Sequence, residues 1–259
     1  MKKYDIRDIY AIDIHSHYNH GANFDVETNE FYKCDIDFLM SEYDNTNIKC
    51  GAFSSFASVS SKRKIVNENE IIEENEHLYN LTLENERVYQ WVVVDPRCEN
   101  TFIQAEKMLN SNKCIGIKIH PDGHGYGAKM LDYADKIFSF ADDKKSVVLM
   151  HPSWPEYMPQ FANKYPNMNL IIAHLGGIYQ VNQAKYDNIF LDTSGFSSSN
   201  NNVIEKAVME VGSEKILFGT DTYSCGFQRG RIEYARITDQ DKENILYSNA
   251  KRLFKKIKF

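Results

Sequence analysis

Short apolar runs alternate with helix-like segments along this 259-residue chain. The runs are rich in Val, Ile, Leu and Phe, which is typical of parallel strands covered on both faces. They lie at residues 10–17, 48–56, 88–95, 114–120, 146–151, 169–175, 188–193 and 215–221. The helix-like segments cover residues 35–44, 66–86, 101–112, 129–142, 155–165, 178–186, 200–211 and about 229–256. Eight such units predict an α/β protein: a single (β/α)8 TIM barrel domain over residues 1–259, with a C-terminal helical extension.

An open, doubly wound sheet is the alternative arrangement of the same units. The ends of the runs favour the barrel, because chemically active side chains concentrate there. A closed barrel brings all eight strand ends to one rim, whereas an open sheet keeps the first, fifth and eighth strands apart. The residues at these ends are His15, His17, His120, His151, His174 and Asp221.

Four of these strand-end residues form a predicted metal site. His15 and His17 lie on one face of the first strand, because side chains alternate along a strand. His151 ends the fifth strand, and Asp221 ends the eighth, which lies beside the first in a closed barrel. Imidazoles and a carboxylate at one rim suit a divalent metal, with Asp221 also acting as general base for a bound water. Asp13, one step deeper, would orient a ligand.

The remaining candidates are predicted to act on the substrate. His174 precedes two glycines and is predicted to be a catalytic acid or electrophile, or a ligand of a second metal. A buried Lys118 on the fourth strand is costly unless it is paired, carboxylated or deprotonated. A salt bridge would satisfy it, or it could hold a second metal with His174, although we favour one metal. The predicted substrate contacts are His120, Arg229, Tyr223 and Trp154.

The composition and termini of the chain bear on its binding partners and its cellular compartment. Its formal net charge of −6 argues against a nucleic-acid surface, because phosphate binding needs concentrated Lys and Arg. The N-terminal sequence lacks the apolar stretch of a signal peptide, and no run approaches membrane-spanning length. The five cysteines contain no CxxC pair, which fits a reducing compartment. We expect a cytoplasmic protein that binds a small molecule, neither nucleic acid nor membrane, and leave a homo-oligomer open.

The motifs at the strand ends resemble those of a known superfamily. The HxH pair, GIKIHP, IIAHLGG and ILFGTD are similar to motifs of the amidohydrolase superfamily, and most of all to those of its amidohydrolase-2 branch. The resemblance implies one divalent metal, zinc first and manganese or iron as alternatives, with His174 as the catalytic histidine. The resemblance also implies that the metal ligands are His15, His17, His151 and Asp221. After ILFGTD the chain reads TYSCGFQRG instead of the Tyr-Pro turn of many relatives, so substrate contacts are not carried over.

Three functions are compatible with this pattern. The favoured one is a hydrolase of a small-molecule amide, ester or lactone, in which Asp221 activates a metal-bound water and His174 acts as acid or electrophile. The alternative is a metal-dependent decarboxylase of an aromatic or unsaturated carboxylic acid on the same fold. A non-catalytic, ligand-binding barrel is the third. The sequence does not identify the substrate, because specificity lies in the loops.

Overall fold

Eight parallel strands form one sheet whose spatial order follows the sequence. The structure is a computed structural model that describes residues 5–18, 35–55, 67–195, 201–222 and 224–258. The predicted (β/α)8 barrel is confirmed. The strands are β1 (Ala11–Tyr18), β2 (Ile48–Ser55), β3 (Val88–Val93), β4 (Cys114–Ile119), β5 (Val147–Met150), β6 (Asn169–Ile172), β7 (Ile189–Asp192) and β8 (Ile216–Leu217).

Helices connect and follow the strands. The α-helices are α1 (Ile36–Asn45), α2 (Glu68–Glu84), α3 (Glu99–Met108), α4 (Met130–Asp143), α5 (Met158–Lys164), α6 (Ile178–Gln183), α7 (Val203–Val211), α8 (Cys225–Glu233), α9 (Asp239–Glu243) and α10 (Asn249–Leu253). Helix α9 continues through a π-helical turn, Asn244–Ser248, into α10. Within the described ranges, no helix has the length and hydropathy needed to cross a membrane.

Side-chain caps explain where several helices begin. Asp35 accepts a hydrogen bond from the backbone N–H of Phe38 at the start of α1. Thr238 and Asp241 form a reciprocal capping box at the start of α9. Such caps satisfy backbone N–H groups that have no partner inside the helix, and each stabilises the helix by about 1 kcal/mol.

The barrel closes where the segment after β8 meets β1. The backbone N–H of Ile14 donates to the carbonyl of Phe218 over 3.0 Å. The backbone N–H groups of Thr220 and Asp221 both donate to the carbonyl of His15, over 3.2 and 2.8 Å. These bonds extend the seam beyond the two residues of β8, so the end of the last strand is fixed against the middle of the first.

An apolar cluster fills the barrel below the strand ends. Trp91 is completely buried there, and its indole N–H donates to the carbonyl of Ile14 over 2.7 Å. Phe254, just after α10, meets the Trp91 ring edge-on with 5.6 Å between ring centroids. The C-terminal helical extension therefore contributes to the packing of the barrel interior.

Gly116 on β4 makes room for Trp91, which gives a stability prediction. A β-carbon at Gly116 would lie 2.3 Å from the carbonyl oxygen of Val147 and 2.5 Å from the indole ring. We expect Gly116→Ala to lower the free energy of unfolding by about 1–3 kcal/mol, the usual cost of overpacking. Urea unfolding followed by tryptophan fluorescence measures this change.

The matched control is Gly230→Ala in α8, where a β-carbon would meet no atom within 4 Å. This change should raise the free energy of unfolding by about 0.5–1 kcal/mol, because alanine loses less backbone entropy in a helix than glycine. Equal stability of Gly116→Ala and the wild-type protein would contradict the packing described for β4.

Candidate metal centre

His15, His17 and Asp221 converge at the carboxyl end of the barrel. The Nε2 atoms of His15 and His17 lie 3.5 and 3.1 Å from the same oxygen, Oδ1, of Asp221. Both imidazoles are buried. The ligand atoms of His15, His17 and Asp221 all lie within 4.8 Å of one another. The same holds for a second, overlapping group, which consists of His15, His174 and Asp192.

Hydrogen bonds to Nδ1 turn the Nε2 atoms of both imidazoles toward Asp221. The Nδ1 atom of His15 lies 2.9 Å from Oδ2 of Asp192, and a carboxylate can only accept. The Nδ1 atom of His17 lies 2.9 Å from the hydroxyl and 3.3 Å from the carbonyl oxygen of Ser54. Nδ1 therefore carries the proton in the His15 ring, and the Nε2 atoms of both rings face the Asp221 carboxylate, an arrangement that a shared cation would stabilise.

Two further histidines complete the ring of imidazoles. The His174 ring lies 5.2 Å from that of His15 and 5.1 Å from that of His151, between centroids. Nδ1 of His174 is held 3.2 Å from the carbonyl oxygen of Ser194. Nδ1 of His151 is buried and has no hydrogen-bond partner among the described residues, with Oδ2 of Asp122 at 3.6 Å. His151 belongs to neither of the two groups of converging ligand atoms, so its role as a metal ligand stays a prediction.

The backbone at this end of the barrel adopts uncommon conformations. His174 and Asp221 have φ angles of 74° and 58°, in the left-handed region that non-glycine residues rarely occupy. Gly195 has a φ of 66°, and a β-carbon there would lie 2.9 Å from Nδ1 of His174 and 3.0 Å from Oδ2 of Asp221. Such strained positions cluster at functional sites. Glycine is thus required where the chain passes between these two side chains.

Asp13 supports the centre from below. Its carboxylate accepts from the backbone N–H of His15, from the hydroxyl of Tyr43 over 2.7 Å, and from both the backbone N–H and the hydroxyl of Thr220. Burial raises its pKa to about 7, although these donors act in the opposite direction. Asp13 thus joins β1 to the segment that carries Asp221.

The electrostatics of the centre favour neutral imidazoles. Burial and the nearby Lys118 ammonium lower the pKa of His15 to about 4. Burial and the neighbouring His174 lower the pKa of His151 to about 3. Burial also lowers the pKa of His17 below its usual value. A metal binds only the neutral form of an imidazole, so these histidines are ready to coordinate at neutral pH.

The two carboxylates of the centre stay ionised. Burial raises the pKa of Asp221, but the hydrogen bond with His17 and the electrostatic interactions with His15 and His174 outweigh burial and lower it overall. For Asp192, the interactions with His15 and His174 likewise outweigh burial. Neutral imidazoles and ionised carboxylates are the donor set of a divalent metal. The residues present therefore fit such an ion.

Lys118 and His120 also lie at the centre. The Nζ atom of Lys118 lies 2.8 Å from Nε2 of His15. The His120 ring stacks on that of His151 with 4.0 Å between centroids, and its Nδ1 accepts from the backbone N–H of Gly123. Burial lowers the pKa of Lys118 to about 8. The salt bridge considered for Lys118 is not present among the described residues.

The structure does not bring Arg229 to the centre, contrary to the prediction of a substrate contact. Its guanidinium donates to the carbonyls of Asn47, Ile6 and Ile9 and pairs with Glu233 at 2.6 Å. These carbonyls precede β1 and β2, at the opposite end of the barrel. Arg229 therefore makes structural hydrogen bonds, because α8 runs back from the carboxyl end of the barrel.

Two other predicted contacts have different outcomes. Tyr223 lies outside the described residues. Trp154 lies in the loop that follows His151, is 42% exposed, and donates from its indole N–H to the carbonyl of Gly127 over 2.9 Å. Its contact with a substrate stays a prediction.

Sequence reasoning missed Asp192, Ser194 and Ser54. Asp192 is the last residue of β7 and binds both His15 and the backbone N–H of His174. The Ser194 hydroxyl contacts Asp192, His15 and His174. Asp192 follows an apolar run, as Asp221 does, so the same signal could have identified it.

Fold and site together define a TIM barrel with a cluster of metal-binding residue types at the carboxyl end of its strands. The sequence profile of the amidohydrolase family, Amidohydro_2, matches residues 12–256. The chain belongs to this family, as its motifs predicted. No protein with a curated description matches this sequence significantly.

Solved structures share the fold over almost the whole chain at low identity. A dihydroxybenzoic acid decarboxylase from Polaromonas sp. JS666, with bound manganese and the inhibitor 2-nitroresorcinol, is 15% identical; the match covers 95% of this chain and 97% of that one, with a TM-score of 0.72. The 2,6-dihydroxybenzoate decarboxylase from Rhizobium is 14% identical, with coverages of 95% and 98% and a TM-score of 0.69. A manganese-bound mutant 5-carboxyvanillate decarboxylase from Novosphingobium aromaticivorans DSM 12444 is 11% identical, with coverages of 96% and 98% and a TM-score of 0.74.

These comparisons correct the preference for a hydrolase over a decarboxylase. The structural neighbours named above are decarboxylases of aromatic acids, which are lyases. The preference was wrong because the same metal ligands serve both reactions, so the motifs alone did not separate them. The alternative drawn from the sequence, a decarboxylase, is better supported.

Proposed function

We propose that this protein is a metal-dependent decarboxylase of an aromatic carboxylic acid. The observation that carries the proposal is the convergence of His15, His17 and Asp221 on a barrel that resembles such decarboxylases over 95% of its length. Apolar side chains fill the barrel beneath these residues, so the polar side chains of the barrel interior lie at its carboxyl end.

We assign one divalent metal to this centre, with His15, His17, His151 and Asp221 as its ligands. A bound cation would supply Lewis acidity toward the oxygens of the acid. Manganese is favoured alongside zinc, because two of the neighbours bind manganese. One ion is preferred over two because Asp192 is already occupied by His15, His174 and Ser194.

The reaction replaces the carboxyl group by a proton. The bond between the ring carbon and the carboxylate breaks, its electron pair stays on the ring carbon, and carbon dioxide leaves. We propose that His174, once it has taken up a second proton on Nε2, supplies that proton to the carbon. Its Nδ1–H donates to the Ser194 carbonyl, which fixes the ring beside His15 and His151. The general-base role predicted for Asp221 belongs to hydrolysis and is not carried over.

The surroundings of the centre suggest how the aromatic ring of the substrate is held. The stacked imidazoles of His120 and His151 offer a flat surface for an aromatic ring, and Trp154 follows them in the chain.

We place the protein in the cytoplasm, where its four described cysteines, all free thiols, would remain reduced.

Removal of the metal tests this proposal. Protein treated with a chelator and then reloaded with manganese or zinc is incubated with a panel of hydroxybenzoates and carboxyvanillates. We expect the reloaded protein to release one carbon dioxide for each acid consumed, and the metal-free protein to release none. Carbon dioxide and the decarboxylated arene are measured by mass spectrometry. A reloaded protein that leaves every acid in the panel intact would contradict the proposal.

A further inference from the structure

Lys118 is a buried cation beside the metal centre that forms no salt bridge with any described residue. Its side chain is fully buried on β4, and its one described hydrogen-bond partner is Nε2 of His15 at 2.8 Å. No carboxylate oxygen of the described residues lies within 4.0 Å of Nζ. A buried charge without a counter-ion is costly, so its presence calls for a partner that arrives from outside.

The carboxylates near Lys118 already have other partners. Asp221 faces the Nε2 atoms of His15 and His17. Asp192 accepts from His15 and from the backbone N–H groups of His174 and Ser194. Neither aspartate is within salt-bridge distance of Nζ, so neither neutralises the ammonium directly.

Asp13 is also committed elsewhere. All four of its bonds come from donors on β1, on α1 and in the segment that follows β8. These donors hold its carboxylate behind His15, outside salt-bridge distance of Nζ.

A metal bound to Nε2 of His15 would leave the Lys118 ammonium without its one described hydrogen-bond partner. In a buried site electrostatic attraction is strong. A carboxylate oxygen of a ligand would give the ammonium a charged partner, whereas the amide of a neutral ligand of the same shape would not.

We propose that Lys118 is the specificity residue that makes this centre bind a monoanionic carboxylic acid in preference to a neutral analogue. The inference rests on the proposed function and narrows its substrate class. It also explains product release: the acid takes up a proton and leaves as neutral arene and carbon dioxide, so the attraction that held it is lost.

Binding of inert ligand pairs tests this role without turnover. Benzoate is compared with benzamide, and 2-methoxybenzoate with 2-methoxybenzamide, by calorimetry on manganese-loaded protein. We expect wild-type protein to bind each acid about 10- to 100-fold more tightly than its amide, the range for hydrogen bonds to charged groups. Lys118→Met should reduce this ratio to about one and keep one equivalent of metal, measured by elemental analysis.

The matched control is Lys256→Met. Lys256, which follows α10, donates to the carbonyls of Leu109 and Cys114 near the start of β4, so it carries the same charge as Lys118 but lies far from the centre. This variant should keep the wild-type preference for the acid. Circular dichroism confirms that both variants are folded.

Several outcomes would overturn the proposal. They are a wild-type protein that prefers neither acid, a Lys118→Met variant that keeps the full preference, and a second equivalent of metal that disappears with Lys118. The last result would make Lys118 a metal ligand. An acid preference that depends on Lys118, without carbon dioxide release from any acid, would instead reject the proposed reaction and retain the binding role.

Discussion

Asp221→Asn is expected to lose both the bound metal and the decarboxylase activity. The substitution removes the negative charge that faces the Nε2 atoms of His15 and His17, at 3.5 and 3.1 Å, and leaves a neutral amide. Loss of a residue that only supports a ligand costs about 10- to 100-fold in metal affinity, so loss of a ligand should cost about 100-fold or more. Competition with a coloured chelator measures the affinity, and carbon dioxide release measures the activity.

A surface aspartate provides the control for this change. Asp135 pairs with Lys164 at 2.7 Å on the outside of the barrel, and its side chain is 62% exposed. Asp135→Asn makes the same chemical replacement and should leave metal affinity and activity unchanged, since exposed ion pairs contribute little. Full metal occupancy in Asp221→Asn would reject Asp221 as a ligand, whatever its activity.

Asp192→Asn is expected to have the second largest effect, although we do not assign Asp192 as a ligand. Its Oδ2 accepts the proton on Nδ1 of His15, at 2.9 Å, and thereby keeps the Nε2 lone pair directed at the centre. An amide group can present a donor N–H at this position and favour the other tautomer, in which Nε2 carries the proton and cannot coordinate. We expect metal affinity to fall by about 10- to 100-fold, with turnover falling at least as much.

A buried aspartate outside the centre separates this effect from lost stability. Asp95 is fully buried just beyond β3 and accepts two hydrogen bonds from the Arg97 guanidinium. Asp95→Asn should destabilise the fold, because it weakens a buried ion pair, yet leave metal affinity at the wild-type level. If Asp192→Asn bound metal as tightly as Asp95→Asn, the tautomer argument would fail.

The barrel could be predicted from the sequence because each apolar run is long enough to be a buried strand. The ends of the strands were predicted less accurately than their existence. Predicted strands ending at residues 175 and 221 stop earlier in the structure, at Ile172 and Leu217. The left-handed backbone at His174 and Asp221 turns the chain out of the sheet, and the local propensity of these residue types for that conformation is too weak to predict it.

Much of the candidate site could be predicted for the same reason. Residues that end parallel strands must meet at one rim, so His15, His17 and Asp221 are found together, while His151 as a ligand stays a prediction. Arg229 was misplaced because it lies on a helix, where sequence position alone does not tell which end of the barrel the side chain reaches. Asp192 was missed because a single acidic residue after a short apolar run resembles an ordinary turn.

The reaction type lies beyond what the ligands encode. Hydrolysis and decarboxylation both use a divalent metal, a carboxylate and an imidazole at the same rim. They differ in what the substrate offers, a carbonyl open to water or a carboxylate on an electron-rich ring. That difference is set by pocket shape and charge, of which Lys118 is one readable part.

The seam between β1 and β8 has a consequence for synthesis of the protein. Ser16 and Thr222 contact each other across 206 positions of sequence, and the proposed ligands His15, His17 and Asp221 lie on the two sides of that contact. A nascent chain that has not yet released residues 216–222 from the ribosome holds two of these ligands without the third. The ion can therefore be captured tightly only after residues 216–222 have left the ribosome, and metal retention reports on a closed barrel.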